Sequence, residues 1–180
     1  MPRYCALLRA INVGGHTVKM AELCALLAPL KLANLTSVIA SGNLLFESSS
    51  TDAAKLEQRI EKCLLDSLGY EVTTFVRTPA EMQSIVDHVP FPEPGVFREG
   101  DKMQVVFLKG PVPRPVAERI VALRTEIDEL RVHGREIYWR YRGGISDSLV
   151  KPVAFARACQ GEGTARNITT VRKLAEKLAK

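Results

Sequence analysis

The order of short apolar segments over the first 77 residues is the tightest constraint on this chain: strand, helix, strand, strand, helix, strand. Residues 3–9 (R-Y-C-A-L-L-R) are apolar and short and run into a loop holding Gly14 and Gly15, which suits a buried strand. Met20, Leu23, Leu26 and Leu27 then recur at three-to-four spacing behind Thr17, a predicted N-cap, and this helix stops near Pro29. Residues 38–40 and 44–47 flank Ser41-Gly42-Asn43, where Gly and Asn tolerate the positive φ of a tight hairpin turn. Asp52 predicts the cap of a second helix with Leu56, Ile60, Leu64 and Leu68 on one face and Gly69 closing it, and residues 71–77 read as the next strand. That order is the split β-α-β arrangement of ferredoxin-like domains.

The pattern then restarts. Thr78-Pro79-Ala80-Glu81 announces a connector helix: the Thr caps, the Pro takes the first helical position and the Glu completes a capping box. Pro90, Pro92, Pro94 and Gly95 make a stiff loop and the expected boundary between halves. Residues 103–108 read as a strand, 116–125 as a helix and 130–141 as a hairpin turning at His133-Gly134. Residues 151–159 and 167–180 read as helices, with Pro152 in a first turn. The expectation is an α+β protein of two ferredoxin-like halves, antiparallel sheets with helices packed on one face. The halves are residues 1–90, with the connector helix, and 91–180, a weak internal duplication in which a closing strand is not evident and the C-terminus is helical.

Composition narrows the function classes. With 180 residues, 46% of them hydrophobic, the chain can bury a real core, and disorder is not needed to explain it. No signal segment opens it, and no apolar run approaches the roughly 20 residues of a membrane span. Cys5, Cys24, Cys63 and Cys159 lack C-x-x-C spacing and read as reduced thiols, so a cytoplasmic location is expected. The net charge of +5 comes wholly from the second half, where 17 basic residues face 11 acidic ones against 8 and 9 up to Pro90. That imbalance favours an anionic partner, a small molecule or nucleic acid, although a solubilising surface would look the same.

In a split β-α-β unit the first two strands run the same way, so the Gly14-Gly15 loop and the Ser41-Gly42-Asn43 turn should leave the sheet along one edge. The glycine pair also precedes a helix start, where free backbone N–H groups favour an anion. It matches neither the dinucleotide nor the P-loop fingerprint. The predicted ligand-binding set is Arg9, Asn12, Gly14, Gly15, Ser41, Gly42 and Asn43, completed by Arg166, Asn167 and Thr169 ahead of the last helix. Arg166 suits bidentate contact with an oxyanion, while Asn167 or Thr169 caps the helix. On residues 137–142, Ile137, Trp139 and Tyr141 share one face; Tyr138, Arg140 and Arg142 share the other, a candidate nucleic-acid face. His16, His88 and His133 show no metal-ligand spacing, and no metal or cofactor is expected. Catalytic residues stay unassigned: an enzyme acting on a phosphate-bearing or nucleotide substrate would need His16 as base, and a protein-interaction adaptor is a further alternative.

Three segments carry a family resemblance: residues 7–15 (L-L-R-A-I-N-V-G-G), 41–46 (S-G-N-L-L-F) and 164–171 (T-A-R-N-I-T-T-V). Together they resemble the uncharacterised bacterial domain-of-unknown-function family 1697, whose members look like paired ferredoxin-like folds. The resemblance implies that fold and carries no activity with it. This chain departs from the usual pattern at Ala10, where Gly is common, at Ala40, where Gln is common, and at Ile168, where Trp is common. Ser-Lys-Leu, common after the Tyr-rich strand, is lacking across residues 147–150.

Overall fold

The computed structural model describes residues 1–12, 15, 17–39, 42–160 and 163–180. Two compact units emerge, Met1–Ser84 with Arg172–Lys180 and Ile85–Val171. The first holds β1 (Arg3–Leu8), α1 (Met20–Leu26), β2 (Ala33–Ser37), β3 (Asn43–Glu47), α2 (Ala53–Leu68) and β4 (Thr74–Arg77). The helix α3 (Pro79–Asp87) follows; β5 (Lys102–Leu108), α4 (Arg114–Val121), β6 (Asp128–His133), β7 (Glu136–Tyr141), α5 (Pro152–Cys159) and β8 (Gly163–Asn167) come next, and α6 (Ile168–Ala179) ends the chain.

Each unit contains one four-stranded antiparallel sheet, in the orders β2-β3-β1-β4 and β6-β7-β5-β8. Relabelled within its own half, each order is 2-3-1-4, the ferredoxin-like order. The second half does have a closing strand, β8, which pairs with β5 from Gln104↔Asn167 to Leu108↔Gly163. This corrects the expectation that no such strand was evident.

The reasons for the elements lie close to the sequence. Asp52 accepts a hydrogen bond from the Lys55 N–H at 3.0 Å and so caps α2, which Gly69 closes at φ 78. Leu56, Ile60 and Leu64 line its buried face, each worth roughly 1.5–3 kcal/mol of transfer from water. With Leu23 and Leu27 of the α1 segment they cover Tyr4, Ala6, Leu8, Leu44, Phe46 and Val76 on one face of the first sheet. In the second unit Val116 and Ile120 of α4 and Ala158 of α5 cover Val106, Leu108, Leu130, Ile137, Trp139 and Tyr141. The α3 capping box is complete: the Glu81 N–H donates to Thr78 Oγ1 at 3.2 Å, and the Thr78 N–H to Glu81 Oε2 at 2.8 Å. Two expectations shift. Lys19, not Thr17, precedes α1 and makes no side-chain cap, and the second strand is residues 33–37, so Val38 and Ile39 lie beyond it.

Candidate functional site

β1 and β2 both run antiparallel to β3, and therefore parallel to each other, so their carboxyl ends share one edge of the first sheet. The chain leaving β1 and the turn leaving β2 meet there: the Leu8 N–H donates to Gly42 O at 2.7 Å. Gly42 is required twice over. Its φ is 74, and a Cβ at this position would lie 2.9 Å from Ile11 Cγ2 and 3.1 Å from Leu8 Cβ. The Arg9 N–H donates to Thr73 O at 2.8 Å, which fixes the start of the loop beside the entry to β4, and the Arg9 side chain is half-buried.

The polar residues of this edge do several different jobs. Asn12 Oδ1 accepts from the Val18 N–H at 2.7 Å, and the Tyr70 hydroxyl donates to Ile11 O at 3.1 Å, so both ends of the loop are braced from within the unit. Asn43 is buried at the head of β3 and donates Nδ2 to Val38 O and Ile39 O at 3.2 and 3.1 Å. It holds the turn closed and faces no solvent, which corrects its assignment as a ligand-binding side chain. Gly15 is exposed, with φ 86 and open space around it. Gly14, His16 and Ser41 lie outside the described residues, and with His16 goes the predicted general base. Because α1 begins only at Met20 and spans seven residues, its dipole does not favour an anion at the glycine pair of the β1–α1 loop: the field fades within the first turn.

A backbone feature that the sequence did not announce is common to both segments. Ala10 has φ 59 and Ile39 has φ 54, left-handed values that cost a side chain about 1–2 kcal/mol. For Ala10 the signal was present: it stands where Gly is common in the family the chain resembles.

The remaining predicted residues belong to the second unit. Arg166 in β8 donates Nη1 to Thr164 Oγ1 at 2.7 Å and to Ala165 O at 2.8 Å. Asn167 is the cap of α6, accepting from the Thr169 N–H at 2.9 Å and the Thr169 hydroxyl at 2.8 Å. The candidate nucleic-acid face is not a surface. Every residue of β7 is buried, Tyr138 donates its hydroxyl to Ile85 O at 3.2 Å, and burial pushes its phenol far above the ordinary tyrosine value. Arg140 donates to Ile127 O at 3.1 Å and, with Arg142, pairs with the buried Asp101 carboxylate at 3.7 and 3.5 Å. Tyr138 and Arg140 therefore offer no stacking platform, and the Arg142 Nε is turned inward.

One buried carboxylate went unpredicted. Asp128, fully inaccessible, accepts at Oδ1 from Trp139 Nε1 at 2.8 Å and Ser148 Oγ at 2.7 Å, and at Oδ2 from Thr125 Oγ1 at 2.7 Å and the Leu149 N–H at 3.0 Å. Burial alone would raise its pKa, but these four donors together outweigh it and hold the carboxyl below the ordinary aspartate value. The Thr125-x-x-Asp128 spacing of a capping box was the available clue. Among the described residues no three His, Cys, Asp or Glu side chains are placed to hold a metal, and no helix is long and apolar enough to cross a membrane.

Comparison with known proteins agrees with this geometry at the level of fold. The family model described as protein of unknown function (DUF1697) matches residues 1–138, and the chain belongs to that family. A solved structure of a conserved bacterial protein from Streptococcus pneumoniae is similar, with TM-score 0.72 and 23% identity, covering 100% of this chain and 99% of that one. No curated protein matches.

Proposed function

We propose that this member of the DUF1697 family binds a small anionic ligand, a nucleotide or a phosphorylated metabolite, at the edge where the β1–α1 loop meets the β2–β3 turn. The observation that carries the reading is the junction itself, with Leu8 bonded to Gly42 at 2.7 Å and Gly42 seated on Ile11. Left-handed Ala10 and Ile39 on the two segments support it, since strained backbone persists only where surrounding structure holds it and gathers at ligand sites. Arg9 supplies the cation, exposed Gly15 lets a ligand approach the backbone, and buried Gly42 joins Asn12 and Asn43 in keeping the two segments in shape. A small ligand is preferred to nucleic acid because the aromatic-basic strand face is buried. Arg166, Asn167 and Thr169 are left to the β8–α6 junction, where their bonds lie.

The same reading takes the chain as a cytoplasmic protein and its halves as copies of one unit. Four free thiols and two identical strand orders support these views.

Calorimetric titration with ATP, GTP and a sugar phosphate tests the proposal. At least one should bind, and Arg9→Ala should weaken it about tenfold, the loss expected of one charge-assisted hydrogen bond. Absence of binding by all three, or binding indifferent to Arg9→Ala, would overturn it.

A further inference from the structure

The second unit contains an arrangement that the proposed ligand edge does not use. His88, just past α3, stacks on His133 at the end of β6, with ring centroids 4.2 Å apart and planes 21° apart. The His88 ring also rests on Tyr138 of β7 at 4.9 Å, and the Tyr138 hydroxyl reaches back to Ile85 O in α3. Three contacts thus fasten the exit of α3 to the β6–β7 hairpin, and two of them pass through an imidazole.

We propose that the His88–His133 stack is a pH-sensitive clasp, closed at neutral pH and opened by acid, that pins the chain leaving α3 to the β6–β7 hairpin. Two neutral imidazoles stack without penalty. A proton on each ring would set two cations face to face at 4.2 Å, in a place where the His88 ring is partly shielded from water. The charged neighbours do not cancel this. From α3 comes Asp87, beside His88 in sequence; from β6, Arg131, which is engaged by Glu129 and by Glu93 at 3.7 Å. From β7 come buried Glu136, opposite His133 in register, and neutral Tyr138; from the turn, Arg135, bonded to Lys109 O at 3.3 Å. Burial first, then the facing His133, hold the His88 imidazole below the ordinary histidine value. The native state therefore binds fewer protons than the unfolded chain just below that value, so the clasp contributes fully above about pH 6.5 and its contribution falls as pH drops further.

The test uses the full chain, with NMR titration of the histidine rings and hydrogen exchange across residues 86–92. In the wild type the His88 midpoint should lie below about 6.5, and these amides, corrected for the intrinsic pH effect, should exchange about tenfold faster at pH 5 than at pH 7. His133→Gln should raise the His88 midpoint. His88→Phe, which keeps a ring and removes the charge, should abolish the pH dependence of exchange. Equal wild-type protection at both pH values, or a His88 midpoint unmoved by His133→Gln, overturns the proposal. Should a variant fail to fold, the wild-type exchange decides alone.

Discussion

The two halves share one strand order and finish their outer strands by unrelated means. In the first, β4 is the end strand, and two carboxylates of α2 reach around it: Glu57 accepts from the Val76 N–H and Glu61 from the Thr74 N–H, each at 2.8 Å. Residues four apart on a helix thus match residues two apart on a strand, and side chains take the place of a further strand. Glu61 is the ninth residue of α2, a helix of sixteen. In the second half the equivalent helix, α5, has eight residues and no acidic side chain, so it cannot do for β8 what α2 does for β4. The second half instead anchors the connection before its short helix. Asp128 ties Ser148 and Leu149 to Trp139 and Thr125, whereas the first half crosses from β3 to α2 through a turn held by Ser48 and Ser50. Strand order follows from the apolar alternation and connectivity common to both halves. Edge closure in the first half depends on the two carboxylates that its long helix carries.

The largest test of this contrast is Asp128→Ala. It leaves the Trp139, Ser148 and Leu149 donors without their acceptor in a buried place and should cost roughly 3 kcal/mol or more in urea unfolding. A loss below about 1 kcal/mol would mean that the β7–α5 connection is held elsewhere and that the comparison is misdrawn. The pH dependence has a definite sign. With its folded pKa depressed, Asp128 contributes its full stability above the ordinary aspartate value of 3.8 and loses it as pH falls through the lower folded value. Acid unfolding should therefore be shallower in Asp128→Asn than in the wild type.

Next in size is the carboxylate pair on α2. Glu57→Ala strands the N–H of fully buried Val76 and should cost about 2 kcal/mol, while Glu61→Ala, acting at a partly buried site, should cost about 1. Glu57→Gln keeps an acceptor and should recover most of the loss. The double alanine variant also uncovers a strand edge, so concentration-dependent association in sedimentation should accompany it. If the double variant stays monomeric and costs no more than either single change, the glutamates do not guard the edge.

How far the molecule was legible follows the same division. Elements whose cause is local could be read directly: Asp52 and Gly69 bracketing α2, the Thr78–Glu81 box, Pro152 in the first turn of α5. β8 could not, because G-T-A-R-N shows neither apolar alternation nor β-branched density. It is a strand because β5 pairs with it, and Gly163 permits the approach: a Cβ there would meet Val106 at 2.8 Å and Leu108 at 2.9 Å. The Tyr138 and Arg140 misreading has a tertiary cause. Alternation shows that one face of β7 is core, but nothing in it reveals that the second is buried too, with Arg140 answered by Asp101 from 39 positions away. At the candidate edge, Gly42 declared its turn, whereas Asn43 looked like turn chemistry and proved to be the first residue of β3.

The smallest expected effect bears on backbone strain, which is also shared unequally. Among the described residues the first half has four non-glycine residues at positive φ, Ala10, Lys31, Asn34 and Ile39, and the second has Gln160 alone; its β6–β7 turn uses Gly134 at φ 59. If strain in the first half is tolerated for the sake of the ligand edge, then relieving it should help folding and not binding. Ala10→Gly removes a left-handed penalty of about 1–2 kcal/mol but gives the unfolded chain more freedom, so the net gain should be under about 1 kcal/mol, a melting point raised by a few degrees at most. The same variant should bind whatever anion the edge takes no more tightly than the wild type, because a looser loop must be ordered again in the complex. A variant that is both more stable and tighter-binding would show that Ala10 is a tolerated accident of sequence, and the contrast between the halves would then concern packing history alone.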